Sequence, residues 1–570
     1  MDQSCYKSWP LSAPNHIRLL TISSPASENA TTSCTLTSFH LDEAPPYTAL
    51  SYTWGAANDR VNISLDPGNI TLSVTKNCHS ALLRLRTCYL KPENTARHFW
   101  IDSISIDQSD IDERNAQVAM MADIYRTASR VVIDIGELED SKEADLALNW
   151  IMGLPESQDD DELYVLPFDL GRRVRDSVRS VYNRPWFKRM WILQEAFMAE
   201  DAEVMCGTRI EKWKHFRLKR FLLDTHSGFG KILVHLPAPA PYNPAPFVMV
   251  QGSRSSRTYT AKKDFLTLLC HSRICSAGDL RDKVFALYNF LSDVTQHGFR
   301  ADYSDSVTKA VVYTKTTEWL INNSGLSVLS CVRCDPNERD PTLPSWVPDW
   351  ADFSVRPEWY ISIPIRAEFI TDVDAQFWPI LAAGNTTPRV ATSTTSVGSP
   401  QLIVRGLLVD HIEQTGNILE EQECEISQLA AKNRAKSGLP KITYTWHHTS
   451  NMRNMPSWMR EYGLPAILNC TGTDEDLAGV FHYTVIQRTL AVTESGYLGP
   501  VPEGTQQGDC ICILLGAGVP FILRPEGDYW RLVGESYFYG LMKGEALSGK
   551  DLSCADGKVA QNPFVDFIIQ

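Results

Sequence analysis

Several features are scarce in this chain of 570 residues. No stretch of about 18 apolar residues runs uninterrupted, so no membrane-spanning helix and no membrane insertion are expected. No long basic run occurs, and 54 Lys and Arg stand against 68 Asp and Glu, a formal net charge of −14. Neutralising phosphates needs clustered Lys and Arg, so this balance argues against partners such as nucleic acid or anionic membranes. The opening residues, Met1-Asp-Gln-Ser-Cys-Tyr-Lys-Ser-Trp-Pro10, lack the basic-then-apolar order of a secretory signal. Cysteine is sparse and scattered, with 14 in the whole chain, unlike a small disulfide scaffold. The expectation is a cytoplasmic protein with reduced thiols. Cys331-x-x-Cys334 and Cys510-x-Cys512 have no second pair at finger-like spacing, so no metal is expected.

What is present is ordinary globular composition, 43% hydrophobic, 10% aromatic and 21% charged. That excludes a disordered or fibrous chain, and the length suggests roughly three or four units of about 150 residues. Residues 1–46 read as a lead-in with a short apolar run, Ile17 to Ile22. From Tyr47 strands and helices alternate. Thr48 to Trp54 is strand-like and ends at Gly55. Val74 to Leu90 carries a helical face, and His98 to Asp102 is a second short strand. Ile111 to Ser129 is the clearest helix, with Asp110-x-x-Glu113 resembling a capping box and Val118, Met121, Tyr125 and Ala128 forming one stripe. Arg130 to Gly136 is a third strand. Short strands alternating with helices imply an α/β layer with a parallel sheet over 47–200. A mainly helical region, 201–385, contains the stiff Pro-rich loop 237–246. A β-rich region, 400–570, follows a Thr/Ser-rich break at 386–399.

Several familiar motifs fail on inspection. Gly516-Ala-Gly518 lacks the third glycine of a dinucleotide fingerprint and leads into a strand instead of a helix. Gly544 to Lys550 resembles a phosphate loop, but Asp551 replaces the magnesium-binding hydroxyl. The acidic run Ser157 to Glu162 reads as an exposed loop. Chemistry instead gathers at the carboxyl ends of the strands, where ligands of such sheets sit. Ser51, Tyr52 and Trp54 lie at the first end, and Asp102 to Gln108 at the second. The third contributor is the segment Arg184 to Ala199, read as one helix. Its positions Trp186, Met190, Leu193 and Phe197 form a buried stripe, while Lys188, Trp191 and Glu195 share another side. That side fits a solvated face with a Lys188–Glu195 pairing, or an indole and a carboxylate facing a ligand. Glu113 and Gln117, one turn apart, fit a capped helix end or a supporting role. Asp102 fits a turn residue or a ligand-facing carboxylate.

At this point the residues become recognisable. Tyr47-x-Ala-Leu-Ser-Tyr-x-Trp-Gly55 resembles the first block of the HET (heterokaryon incompatibility) domain of filamentous fungi. Trp100-Ile-Asp-Ser-Ile-Ser-Ile-Asp-Gln108, with Glu113-Arg-x-x-Gln117 and Ile124-Tyr125, resembles its second block. Arg184-Pro-Trp-Phe-x-Arg-x-Trp-Ile-x-Gln194-Glu195 resembles its third. The likeness continues through Arg281 to Leu287, Pro344 to Trp350, and Gly508 to Glu545. Ser105 stands where the second block commonly has Cys, which argues against a thiol nucleophile. Gly278-Asp279-Leu280 departs from the usual Asp-Pro before Arg281, which touches a local turn.

The resemblance implies a role in non-self recognition and programmed cell death when incompatible hyphae fuse. HET domains are thought to be distant relatives of TIR domains, which have a flavodoxin-like fold. Several TIR domains cleave NAD⁺ with a glutamate on the helix after the third strand, and Trp191-Ile-Leu-Gln-Glu195 occupies the comparable place. On that analogy Glu195 is the catalytic residue. Ser51, Tyr52, Trp54, Asp102, Gln108 and Trp191 bind substrate, with Glu113, Gln117, Arg184 and Gln194 in support. NAD⁺ would be substrate, and no cofactor is implied. Breaking the nicotinamide–ribose bond builds positive charge on the ribose, which a fixed carboxylate stabilises. Partners would be further copies of the chain or another signalling protein. The alternative is a non-enzymatic interaction module, since Trp- and Tyr-rich surfaces also make docking hot spots.

Overall fold

A computed structural model describes residues 5–23, 32–66, 70–90, 98–137, 141–153, 168–213, 261–291, 298–332, 339–352, 390–394, 400–416, some positions within 429–438, 488–538, 540–542, 544–550 and 563–570. The Pro-rich loop 237–246 and the acidic run 157–162 lie outside these residues. The chain divides into two compact units, Met1–Ala261 with His271–Val307, and Lys262–Cys270 with Thr308–Gln570.

The first unit is built on a nine-stranded mixed sheet. Its strands are β1 (His16–Ile22), β2 (Ser33–His40), β3 (Tyr47–Tyr52), β4 (Arg60–Asp66), β5 (Ile70–Thr75), β6 (His98–Trp100), β7 (Arg130–Gly136), β8 (Ala202–Cys206) and β9 (Arg209–Lys212). They run in the spatial order β5-β4-β2-β1-β6-β3-β7-β8-β9. Four neighbours, β6, β3, β7 and β8, are mutually parallel. β3 is buried at all six positions, as a strand covered on both faces must be. The expectation of a purely parallel sheet is corrected on its flank. β1 pairs antiparallel with both β2 and β6, and β4 with β5. The lead-in thus supplies two strands of the sheet. Beyond the lead-in, β4 reads Arg60-Val-Asn-Ile-Ser-Leu-Asp66, alternating polar and apolar residues in the pattern of a strand with one face buried.

The helices of this unit are α1 (Lys76–Tyr89), α2 (Asp102–Ser105), α3 (Ile111–Thr127), α4 (Ser141–Gly153), α5 (Phe168–Tyr182) and α6 (Ile192–Phe197). After them come α7 (Ala261–Ser272), which spans the division between the units, and α8 (Asp282–Tyr288). α1 begins where Thr75 Oγ1 accepts from the Cys78 amide at 3.2 Å. α3 is capped by Asp110, whose Oδ1 accepts from the Glu113 amide at 3.1 Å. Only half of the expected capping box forms, because the Glu113 carboxylate accepts instead from the Asp107 amide at 2.6 Å and from Arg18. Gly136 ends β7 with φ 77°, a conformation that suits glycine.

The reading of Arg184 to Ala199 as one helix is overturned. Pro185–Lys188 is a single 3₁₀ turn, Arg189 is extended at φ −77° and ψ 144°, and α6 starts only at Ile192. The cause lies outside the segment: the Met190 amide donates to the Ser276 carbonyl at 2.9 Å, and the Ser276 amide donates to Lys188. Lys188, Trp191 and Glu195 therefore do not share one helical face. Trp186, Met190 and Leu193 are nevertheless fully buried.

The second unit contains α9 (Lys309–Ser324), a 3₁₀ segment (Gly325–Cys331) and the C-terminal strands. These are β10 (Val390–Thr394), β11 (Pro400–Gly416), β12 (Arg488–Thr493), β13 (Leu498–Pro502), β14 (Cys510–Leu514), β15 (Phe521–Glu526), β16 (Tyr529–Glu535) and β17 (Phe564–Ile569). The β-rich expectation holds. β11, β14, β15, β16 and β17 pair in sequence and β17 returns to β11, closing a ring from which β10 and the β12–β13 pair branch at β11. β11 serves several partners because its register shifts between Leu408 and Asp410 and between Ile412 and Gln414. Gly516–Gly518 falls in the turn between β14 and β15, as the failed dinucleotide motif requires. Among the described residues no helix is long and apolar enough to cross a membrane.

Candidate functional site

Three parallel strands deliver their carboxyl ends to one place in the first unit. β3 ends with Ser51 and Tyr52, β6 runs through Ile101 into Asp102, and β7 ends at Gly136. α6 then brings Glu195 against the end of β3. Glu195 is 1% exposed. Its Oε2 accepts from the Ser51 hydroxyl and from Arg189 Nη1 at 3.0 Å, and Oε1 accepts from Arg189 Nη2 at 3.0 Å. The Ser51 oxygen in turn accepts from Trp186 Nε1 at 2.7 Å, which fixes its hydroxyl toward the carboxylate. A bidentate guanidinium–carboxylate pair of this kind is strong and directional.

Asp102 completes the cluster. One oxygen accepts from Trp54 Nε1 at 2.8 Å and the other from the Ser103 amide at 2.7 Å. Burial pushes its carboxyl up to about 6, the neighbouring Glu195 carboxylate pushes the same way, and Arg189 opposes both. Burial works against the Arg189 charge too, but Glu195 and then Asp102 overcome it and hold the guanidinium above its ordinary value. Tyr125 donates to the Leu50 carbonyl at 3.2 Å. Burial, reinforced by the Glu195 and Asp102 charges, keeps that phenol neutral. The centre therefore holds two carboxylates, one guanidinium and one oriented hydroxyl in a desolvated setting.

The other candidates separate into groups. Gln108 Nε2 donates to the Asp102 carbonyl at 3.1 Å and steadies that turn. Trp54 is 37% exposed, so its indole reaches from solvent to Asp102. Tyr52 is buried and pairs with Ser103 Oγ at 2.6 Å. Trp191 donates to Asp282 Oδ2 at 3.0 Å. Gln194 donates to the Ala286 carbonyl at 2.9 Å and accepts from Asn289 at 3.1 Å. Glu113 is held by Arg18 of β1, and Gln117 donates to the His16 carbonyl at 2.8 Å. Arg184 Nε donates to the Ile135 carbonyl at 2.9 Å, and its Nη2 lies 2.7 Å from where a Cβ on Gly136 would stand. Ser105 is fully buried, and its hydroxyl accepts from the Ile101 amide at 3.2 Å.

Sequence reasoning missed Arg189 and the indole of Trp186. Arg189 was visible as the second arginine of Arg184-Pro-Trp-Phe-Lys-Arg189, but a continuous helix turns it away from Glu195. Only the extended residue between the two helical pieces brings it back. Among the described residues one group carries metal-type donors, Asp410, His411 and Glu494, within 4.8 Å of one another. Both Asp410 oxygens already serve backbone amides, those of His411 and Ser495 at 2.9 and 3.0 Å.

Comparison with known proteins agrees with this architecture. Residues 47–195 match the heterokaryon incompatibility protein (HET) family, and residues 468–551 match the Het-6 beta-barrel domain. Heterokaryon incompatibility protein 6, OR allele, of Neurospora crassa is 24% identical over 659 aligned positions, covering 95% of this chain and 96% of that protein. No solved structure matches the chain. The HET match begins with Tyr47 at the start of β3 and ends with Glu195, so it encloses the whole cluster. The chain carries a HET domain followed by a Het-6 barrel domain, the two families matched here.

Proposed function

We propose that this chain is a cytoplasmic effector of non-self recognition and programmed cell death, and that its HET domain hydrolyses NAD⁺ through the cluster around Glu195. The observation that carries this reading is the convergence of Ser51, Asp102 and Glu195 at the strand ends. Strand order supports it. Numbered by appearance, β6-β3-β7-β8 runs 2-1-3-4, the order of flavodoxin-like sheets, whose ligands sit at the switch between the first and third strands. In the reaction the bond between nicotinamide nitrogen and ribose C1′ breaks, and its electron pair leaves with nicotinamide. Water adds to C1′ and releases a proton. Glu195 would stabilise the ribosyl cation, and Asp102, held near 6, could exchange a proton with a hydroxyl. The closed ion pair describes a resting state, and Arg189 must withdraw before Glu195 meets a substrate.

One observation favours the non-enzymatic reading: a carboxylate that is 1% exposed and doubly bonded to Arg189 is also a structural keystone. On that reading the domain signals by docking a partner. Purified full chain, clustered at high concentration with NAD⁺, separates the two. Release of nicotinamide that falls by about 10²–10³ in Glu195→Gln supports the enzyme. No release under any clustering condition, or equal release by the variant, leaves the docking module.

A further inference from the structure

The HET match ends at Glu195, yet the first unit continues through His271–Val307. That later segment makes two sets of contacts with the piece of chain that carries Arg189 and Glu195. The first is a backbone bridge between Arg189 and Ser276, with the Met190 amide donating to Ser276 at 2.9 Å and the Ser276 amide to Lys188. Ser276 is itself positioned by Lys283, which is 2% exposed and donates its ammonium to the carbonyls of Arg273, at 2.7 Å, and Cys275. The second set flanks α6. Asp282 accepts from Trp191 at 3.0 Å and from Tyr303 at 2.5 Å, while Gln194 joins the Ala286 carbonyl and Asn289. Arg189 thus lies between two fixed points, the bridge at Ser276 and the Trp191–Asp282 bond. Its extended conformation, which points the guanidinium at Glu195, depends on both.

We infer that Arg273–Asn289 is an autoinhibitory clasp: it holds Arg189 on Glu195 and keeps the HET-domain site closed until it is loosened. This rests on the reading of the Glu195 cluster as the functional centre. The clasp lies outside the HET match, so the region that silences the site is separate in sequence from the blocks that build it. Asp282 is suited to such a joint because burial raises its carboxyl to about 6, and the bonds from Tyr303 and Trp191 oppose that rise. The charged groups around it are Asp279, Arg114 and Arg281. Loosening needs no chemistry, only loss of a few hydrogen bonds along one short bridge.

Hydrogen exchange on the full chain tests the clasp directly. Ser276→Pro removes the amide that donates to Lys188, and Asp282→Asn removes the charged acceptor of Trp191 and Tyr303. Ser276→Ala keeps the backbone bridge and serves as control. Amides of residues 189–197 are expected to exchange about tenfold faster in either clasp variant, from the loss of one or two hydrogen bonds. Amides of β3 and β7 should exchange as in wild type, as should the whole of Ser276→Ala. Unchanged protection of 189–197 in both variants overturns the clasp. A matching loss in β3 and β7 overturns it too, because the contacts are then merely part of the common core. Nicotinamide release is measured on the same samples. Faster exchange with faster release supports clasp and enzyme together, whereas faster exchange with no release upholds the clasp and removes the NAD⁺ reading.

Discussion

Two buried carboxyls in the first unit, Asp102 and Asp282, should give it a pH-dependent stability of calculable sign. Both stand at about 6 against an ordinary 3.8, mainly because burial penalises the charged form, and both are under 10% exposed. A group whose folded value is raised favours folding while it is protonated. Its contribution is complete below about pH 4 and is lost as the pH climbs through about 6. Between pH 7 and pH 5 each group should return roughly 1 kcal/mol, or about 2–3 kcal/mol for the pair. At about 2–4 °C per kcal/mol for a unit of this size, the unit should melt roughly 5–10 °C higher at pH 5. Calorimetry of the full chain, with the Asp102→Asn/Asp282→Asn double variant beside it, isolates the effect, because all other groups titrate in both proteins. Asn stands in for the protonated carboxyl, so the melting temperature of wild type relative to the double variant should fall by roughly 5–10 °C as the pH rises from 5 to 7. A double variant with the same pH profile as wild type would refute the burial assigned to these two carboxyls.

Three further substitutions have defined outcomes. Ser51→Ala strips Glu195 of one donor and leaves the Trp186 indole without its acceptor, so urea titration should find a loss of about 1–3 kcal/mol in the first unit. Trp54→Phe removes the indole N–H bonded to Asp102 while leaving most of the ring; the melt at pH 7 should fall by about 1 kcal/mol or less, since Trp54 is partly in solvent. Gly499→Ala in β13 places a Cβ 1.9 Å from the Tyr537 carbonyl oxygen, so the backbone must move, and the second unit should lose about 1–3 kcal/mol in a calorimetric melt.

Much of the HET domain could be read from sequence because its local signals agree with its fold. Arg130–Gly136 is a strand with the bounds that its apolar run and closing glycine suggest, and α3 starts at the cap Asp110. The antiparallel flank was harder to see: β1, β2, β4 and β5 are as long as the parallel strands, but β1 joins β6 and β2 joins β4, partners that local pattern does not reveal. The candidate site divides along the same line. Ser51 and Asp102 lie at the ends of β3 and β6, strands that the sequence marks, whereas Glu195 reaches Ser51 from inside α6, an element whose start the sequence misplaced. Arg189 was missed, and Lys188, Trp191 and Glu195 do not share a helical face, because a bridge to Ser276, 87 residues further along the chain, splits the apparent helix at the position that matters. Periodicity within a segment carries no information about such a bridge.

A double-mutant cycle on Arg189 and Glu195 tests the closed centre most directly. Arg189→Met leaves a 1%-exposed carboxylate without its countercharge, and the first unit should lose about 3–5 kcal/mol in urea unfolding. Adding Glu195→Met removes the stranded charge, so the double variant should regain most of that stability. If instead the two single losses simply add, the guanidinium and carboxylate are not the desolvated pair on which both the site and its clasp depend.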